Sequence, residues 1–177
     1  MRWVLAMVLV AVLLGCAAKE EPPGATAPAA GVFTTTDVAW LQLADALHTR
    51  ALPMLGLARE RAGSRSLADL AARLGRAHRT GRERLRALLV RARVTGENPH
   101  TTHDMPGMPT ARELKALAEL RGVAFDRRFT ALSRAYLEQL VLVAEGERAS
   151  GGAAEARALA AEMSRAHAAE LRELTAA

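Results

Sequence analysis

Cysteine and aromatic residues are scarce in this chain, and each shortage excludes a class of fold. The 177 residues include one cysteine, so no disulfide framework can form within a single chain. Aromatic residues make up 3% of the sequence, which argues against β-sandwiches and barrels, whose strands favour aromatic and β-branched residues. Half of the residues are hydrophobic, and this length predicts one domain.

Lysine is also rare, since Lys19 and Lys115 are the only two and the other basic residues are arginines. The formal net charge of +5 is a mild excess, and acids alternate with arginines along the helix faces. This pattern is typical of a solvated surface, and without a basic arm or an aromatic platform we expect no nucleic-acid partner. The sequence has no Gly-x-Ser-x-Gly elbow and no phosphate-binding glycine loop, so we predict that it is not an enzyme.

The first residues have the pattern of an export signal. Arg2 precedes an apolar run from Trp3 to Leu14, which has the length of a signal peptide and is too short for a comfortable membrane span. The run ends in Leu13-Leu14-Gly15-Cys16, which resembles the lipobox of bacterial lipoproteins. The resemblance implies cleavage before Cys16 and acylation of its sulfur. The alternative is an ordinary secretory signal with an incidental cysteine.

These features divide the chain into three parts. Residues 1–15 are the predicted signal peptide, and residues 16–34 are the lipidated cysteine with a flexible tether, because that stretch lacks periodicity and contains several prolines. Residues 35–177 are the predicted folded domain. We therefore expect an extracytoplasmic protein that is lipid-anchored through Cys16 to a bacterial membrane, on the outer leaflet of the plasma membrane or the periplasmic side of the outer membrane.

Helical periodicity runs through almost all of the remaining sequence. It predicts long helices over residues 37–62, 66–93, 125–149 and 153–174, with a short helix from 110 to 122. Thr36 is the expected cap of the first helix, Ser66 with Asp69 that of the second, and Thr110 with Glu113 that of the short one. The pattern predicts an all-α protein.

The long helices repeat with an offset of 89 residues, which relates residues 37–93 to residues 126–177 across a linker at 94–125. Asp37 corresponds to Asp126, and His78 corresponds to His167. Each hairpin alone would leave an apolar stripe in water, so we expect the two to pack together. The predicted fold is a four-helix bundle built from two tandem hairpins, with the short helix in the crossover.

Three motifs indicate a family, and they are Asp37-Val38-Ala39-Trp40-Leu41-Gln42, His103-Asp104-Met105-Pro106-Gly107-Met108 and Gly122-Val123-Ala124-Phe125-Asp126-Arg127-Arg128-Phe129. With them the chain resembles the ferritin-like bacterial domain of unknown function numbered three hundred and five. The resemblance implies a ferritin-like bundle, and some periplasmic members bind copper. Members usually carry a His-His pair in the first helix of each half, where this chain has Leu47-His48 and Tyr136-Leu137.

The first candidate metal site is the loop that contains His100, His103, Met105 and Met108. Imidazole suits both oxidation states of copper, whereas the soft thioether selects Cu(I). Pro106-Gly107 permits a turn that returns Met108 towards Met105. In the alternative interpretation, the methionines pack on the end of the bundle and the histidines are solvated.

The second candidate lies inside the bundle. His78 and His167 occupy matching core-facing positions, with His48 and Tyr136 on the facing helices. They share a metal, or they are buried polar groups bonded to Asp45, Tyr136 or water. A ferritin-type di-iron centre is not expected, because it needs two Glu-x-x-His pairs.

From the sequence we therefore expect a lipid-anchored helical bundle that binds copper or a similar ion for buffering or tolerance. The competing hypothesis is an envelope scaffold or interaction lipoprotein whose histidines are structural.

Overall fold

The computed structural model describes residues 32–176, which form five α-helices and one short 3₁₀ helix. The all-α bundle predicted from the sequence is confirmed. The predicted signal peptide, Cys16 and nearly all of the predicted tether lie outside the described residues. In chain order the elements are α1 (Thr35–Arg61), α2 (Arg65–Arg91), the 3₁₀ helix (Pro99–Thr102), α3 (Ala111–Glu119), α4 (Gly122–Ser150) and α5 (Ala154–Ala176).

The long helices form two hairpins that pack on each other. Helix α1 lies along α2, and α4 lies along α5, while the two hairpins meet mainly between α1 and α4. Phe125 and Phe129 of α4 stack with their ring centroids 5.5 Å apart, and both are completely buried. A second group of buried side chains surrounds Trp40 and Leu159. Removal of these apolar faces from water supplies the main force that holds the hairpins together.

Two of the three predicted helix caps are displaced by two residues. Helix α1 is capped by Thr34 and not Thr36, because Thr34 and Asp37 exchange hydrogen bonds in a capping box. Helix α2 is capped by Ser64, whose hydroxyl accepts from the backbone of Leu67, so the predicted box at Ser66 is wrong. The box of Thr110 is confirmed at the start of α3. Several closely spaced hydroxyls fit the same local pattern, and only the packed helix selects one.

An aspartate at the start of one hairpin holds the turn of the other. Asp37 accepts hydrogen bonds from the backbone of Gly152 and Ala153, between α4 and α5, at 3.0–3.1 Å. Asp126 accepts from Gly63 and Ser64, between α1 and α2, at 3.0 Å. Each donor or acceptor of one set lies 89 residues from its counterpart in the other set. The hairpins are therefore joined at both ends of the α1–α4 contact.

Candidate metal centre

Five polar side chains from all four long helices meet in the interior of the bundle. We call them the bundle centre: His48 on α1, His78 on α2, Tyr136 on α4, and His167 with Glu170 on α5. The three imidazoles and the phenol are at most 5% exposed. Each helix turns one apolar stripe inwards, and these polar residues lie within the stripes at a height where they contact one another. The structure thus brings together all three histidines of the predicted bundle candidate.

The tyrosine hydroxyl lies between two imidazoles. Tyr136 Oη is 2.6 Å from His48 Nδ1 and 2.5 Å from His78 Nδ1. The two Nδ1 atoms are themselves 3.1 Å apart. Burial raises the pKa of Tyr136 well above its ordinary value, and the charge of Glu170 adds to the effect. The phenol therefore keeps its proton and can donate it to only one of the two rings.

Glu170 joins the other side of the centre to α2. Its Oε2 atom accepts from His78 Nε2 at 2.9 Å and from His167 Nδ1 at 2.8 Å. Burial acts to raise the pKa of Glu170, but the hydrogen bonds from His167 and His78 outweigh it and lower that pKa to about 2. An ionised carboxylate thus lies against the histidines, where it would offset part of the charge of a bound cation.

Burial keeps two of the histidines neutral. It lowers the pKa of His48 well below the ordinary value, and repulsion from His78 and His167 acts in the same direction. Burial also lowers the pKa of His167, although its hydrogen bond to Glu170 opposes that shift. Since metal ions bind the unprotonated imidazole nitrogen, a low pKa removes the competing proton.

Two ring nitrogens in the centre have no hydrogen-bond partner among the residues that the structure describes. His48 Nε2 and His167 Nε2 are both buried and make no hydrogen bond with any described residue. Within residues 32–176, the one group of three His, Cys, Asp or Glu side chains suited to hold a metal ion is His78, His167 and Glu170, with ligand atoms within 4.8 Å of one another. Beside it, a cavity of about 380 Å³ between α2 and α5 is lined in part by His78, His167, Glu170, Gly81 and Met163.

The loop candidate has a different environment. His100 is half-buried on the 3₁₀ helix, and His103 is exposed. The predicted turn brings the Met108 backbone to within 3.0 Å of the Met105 carbonyl oxygen. Met108 is only 4% exposed in the hydrophobic core, and Met105 packs against that core. Both thioethers thus contribute to the packing, and metal binding at this loop stays a prediction.

Two parts of the centre differ from the sequence-based expectation. Asp45 does not hold His48, because Arg82 and Arg86 of α2 bind its Oδ1 atom at 3.0 and 3.1 Å. Two guanidinium groups are stronger partners for a carboxylate than a neutral imidazole. Glu170 was absent from the predicted set. The Glu-x-x-His pattern does not reveal it, because α5 carries the reverse order, with His167 three residues before the glutamate.

Comparisons with known proteins identify a family model and several solved structures that this chain resembles. The family model described as "Domain of unknown function (DUF305)" matches residues 37–177. A DUF305 protein from Streptomyces coelicolor, described as secreted, is 22% identical with a TM-score of 0.70, covering 78% of this chain and 88% of that one. A DUF305 fragment from Deinococcus radiodurans is 21% identical with a TM-score of 0.72, covering 82% and 96%.

A third similar structure is a protein named CopM in its Cu(I)-bound form, at 20% identity and a TM-score of 0.65. The match covers 80% of this chain and 94% of that one. No curated protein matches the sequence. Between residues 32 and 176, none of the helices combines the length and hydrophobicity that a membrane span requires.

Proposed function

This chain belongs to the DUF305 family, and within that family we propose that it binds copper or a similar metal ion in the bundle centre, outside the cytoplasm. By binding the ion, the protein buffers its concentration or gives the cell tolerance to it. An acylated Cys16 anchors the protein to a membrane. The observation that carries the proposal is the convergence of three buried imidazoles and one carboxylate. Imidazole nitrogen is a favoured ligand of copper and zinc.

The state of the two free nitrogens distinguishes this proposal from a purely structural role. Buried polar atoms are nearly always hydrogen-bonded, because an unpaired one costs about 1–3 kcal/mol. His48 Nε2 and His167 Nε2 lack such partners among residues 32–176, so their burial is explained if a metal ion binds them. A similar structure is named as a Cu(I)-bound form, which supports copper as the first ion to test.

A titration of the Cys16→Ala chain tests the proposal, because this variant has no thiol that could bind copper by itself. The full chain, purified in detergent, is titrated with Cu(I) against a coloured chelator without oxygen, and separately with Cu(II) and Zn(II). Replacing His48, His78 and His167 by glutamine should abolish stoichiometric binding. Circular dichroism and thermal unfolding check that this triple variant remains folded.

A matched variant tests the loop candidate. His100 and His103 are changed to alanine, while Met105 and Met108 are changed to leucine so that the buried Met108 keeps its volume. The loop variant should bind with the stoichiometry of the parent. If it loses the ion while the triple glutamine variant retains it, the loop replaces the bundle centre. If the parent itself shows no saturable binding, the scaffold hypothesis takes the place of the proposal.

The anchor is tested separately through Cys16. The lipobox-like sequence before it and a similar protein described as secreted support export. Cys16→Ala should prevent acylation and leave residues 1–15 uncleaved, so the variant should keep the precursor mass and incorporate no labelled fatty acid. Normal cleavage and fatty-acid labelling of this variant would contradict the anchor without affecting the metal proposal.

We also infer that the two hairpins derive from one duplicated unit. The equal offsets between Asp37 and Asp126 and between His78 and His167 support this inference. The offset also relates Glu170 to Gly81, so the pseudo-symmetry fails at one position of the centre. One of the two equivalent positions carries a carboxylate, and the other carries a glycine without a side chain.

A further inference from the structure

We propose that the ion is held by His48 Nε2, His167 Nε2 and the thioether sulfur of Met163, a ligand set selective for Cu(I), with Glu170 and Tyr136 as positioning residues. The inference rests on the proposed metal binding and specifies its ligand atoms. Three steps lead to it: the protons that Glu170 requires, the proton that Tyr136 supplies, and the space beside Gly81.

The contacts of Glu170 determine which nitrogen carries the proton in two rings. A carboxylate is an acceptor only, so His78 Nε2 at 2.9 Å and His167 Nδ1 at 2.8 Å must both be donors. We take each ring to be neutral, so that it carries one proton. His78 Nδ1 and His167 Nε2 therefore have free lone pairs.

The contact with Tyr136 determines the third ring. If the hydroxyl donated to His48 Nδ1, its oxygen and the unprotonated His78 Nδ1 would face each other at 2.5 Å with no proton between them. The hydroxyl therefore donates to His78, and its oxygen accepts from His48 Nδ1 at 2.6 Å. The proton of His48 is then on Nδ1, and its Nε2 has a free lone pair.

His48 Nε2 and His167 Nε2 have no hydrogen-bond partner in the described part of the chain. This proton assignment gives each of them a free lone pair. Each of these rings is also held through Nδ1 by a hydrogen bond, to Tyr136 in one case and to Glu170 in the other. A ligand imidazole usually donates its second N–H to such a partner, which sets both tautomer and orientation. His78, whose two nitrogens are both engaged, links the two positioning residues.

Met163 supplies the third ligand. It is 6% exposed and lies one helical turn before His167, on the same face of α5. A Cβ atom placed on Gly81 would lie 3.3 Å from Met163 Cε and 3.8 Å from His48 Nε2. The space left by Gly81 is thus shared by the end of the thioether and the free nitrogen. Two imidazoles with one soft thioether favour Cu(I) over Zn(II).

The tautomers are tested in the absence of metal, in the full Cys16→Ala chain in detergent. Long-range ¹H–¹⁵N NMR of the imidazoles should show the proton on Nδ1 of His48 and His167 and on Nε2 of His78. Glu170→Gln should abolish the single tautomer of His167, whereas Glu173→Gln, on the same helix but paired with Arg73, should not. A proton on Nε2 of His48 or His167 in the parent chain would overturn the proposal.

The thioether is tested by exchanging methionine for leucine, which removes sulfur and conserves volume. Met163→Leu should weaken Cu(I) binding by about tenfold or more, leave Zn(II) binding nearly unchanged, and remove the Cu–S distance from the X-ray absorption spectrum. Met54→Leu, at another buried methionine, on α1, should change none of these.

Failure of the ligand set and failure of the proposed function are distinguishable. Equal Cu(I) affinities of the Met163→Leu and Met54→Leu chains would overturn the ligand set while leaving copper binding in place. A parent chain that binds no ion would contradict both, even if the tautomers were as assigned. Gly81→Ala gives a second check, because an added methyl group should fill the shared space and weaken Cu(I) binding in a chain that still folds.

Discussion

Replacing Glu147 with glutamine should remove a large pH-dependent loss of stability. Glu147 lies near the end of α4 and is 2% exposed, and neither carboxyl oxygen has a hydrogen-bond partner among the described residues. Burial raises its pKa to about 8, and Asp37 adds to this effect while Arg157 opposes it. Burial acts to raise the pKa of Asp37, but its interactions with Glu147 and Thr34 lower it to about 2, so Asp37 stays ionised near neutral pH.

The direction of the effect follows from the proton balance. The unfolded chain releases the Glu147 proton near pH 4.5 and the folded chain near pH 8, so folding takes up a proton between these values. Stability should therefore fall as the pH rises through this window and level off above it. At about 1.4 kcal/mol per pH unit, the full loss is about 5 kcal/mol. Glutamine cannot ionise, so this loss disappears in the Glu147→Gln chain.

Urea unfolding followed by circular dichroism measures the difference between the two chains. Near pH 5 they should have nearly equal free energies of unfolding, and at about pH 8.5 the Glu147→Gln chain should be more stable by up to about 5 kcal/mol. The two chains differ only at position 147, so the difference between their stability curves isolates Glu147. Glu138→Gln, at an exposed position of α4, is the control. Parallel stability curves for the parent and the Glu147→Gln chain between pH 5 and 8 would refute the reasoning.

Three further predictions concern the packing, a turn and two glycines. Phe129→Ala should lower the free energy of unfolding by about 3–5 kcal/mol, because the ring is completely buried. Asp126→Ala should lower it by about 1–2 kcal/mol, since the turn between α1 and α2 loses two hydrogen bonds. Gly107→Ala should cost more than about 1 kcal/mol, because φ is +77° and the new Cβ would lie 2.4 Å from Gln139 Cβ. Gly146→Ala, with nothing within 4 Å inside α4, should stabilise by about 0.5–1 kcal/mol.

The shift of the urea unfolding midpoint, at unchanged slope, measures the stability change in each of these variants. Each of the three predictions has a result that would contradict it. A loss below about 1 kcal/mol for Phe129→Ala would mean that the core does not depend on this ring. An unchanged Asp126→Ala chain would show that water satisfies the turn equally well. Equal effects of the two glycine exchanges would remove the role assigned to the backbone conformation at Gly107.

The spacing of apolar residues along the chain was sufficient to predict the helices, because each helix must bury one apolar face. The same rule placed His78 and His167 on inward faces, where the structure has them. It did not separate Thr34 from Thr36 as the cap of α1, since both are threonines at the start of the same helix. The sequence also left open whether Met108 packs on the bundle or binds an ion, and its burial in the core depends on the surface that the loop crosses.

The amino-acid sequence by itself determined the all-α class, the inward positions of the three histidines, and the absence of any thiol other than Cys16. Only the tertiary structure decided that Glu170 contacts two of those histidines, that Asp45 binds arginines instead, and that Glu147 is buried beside Asp37. The reason is geometric. Periodicity specifies which face of a helix turns inwards, whereas the rotation and spacing of packed helices decide which atoms on facing helices come within bonding distance.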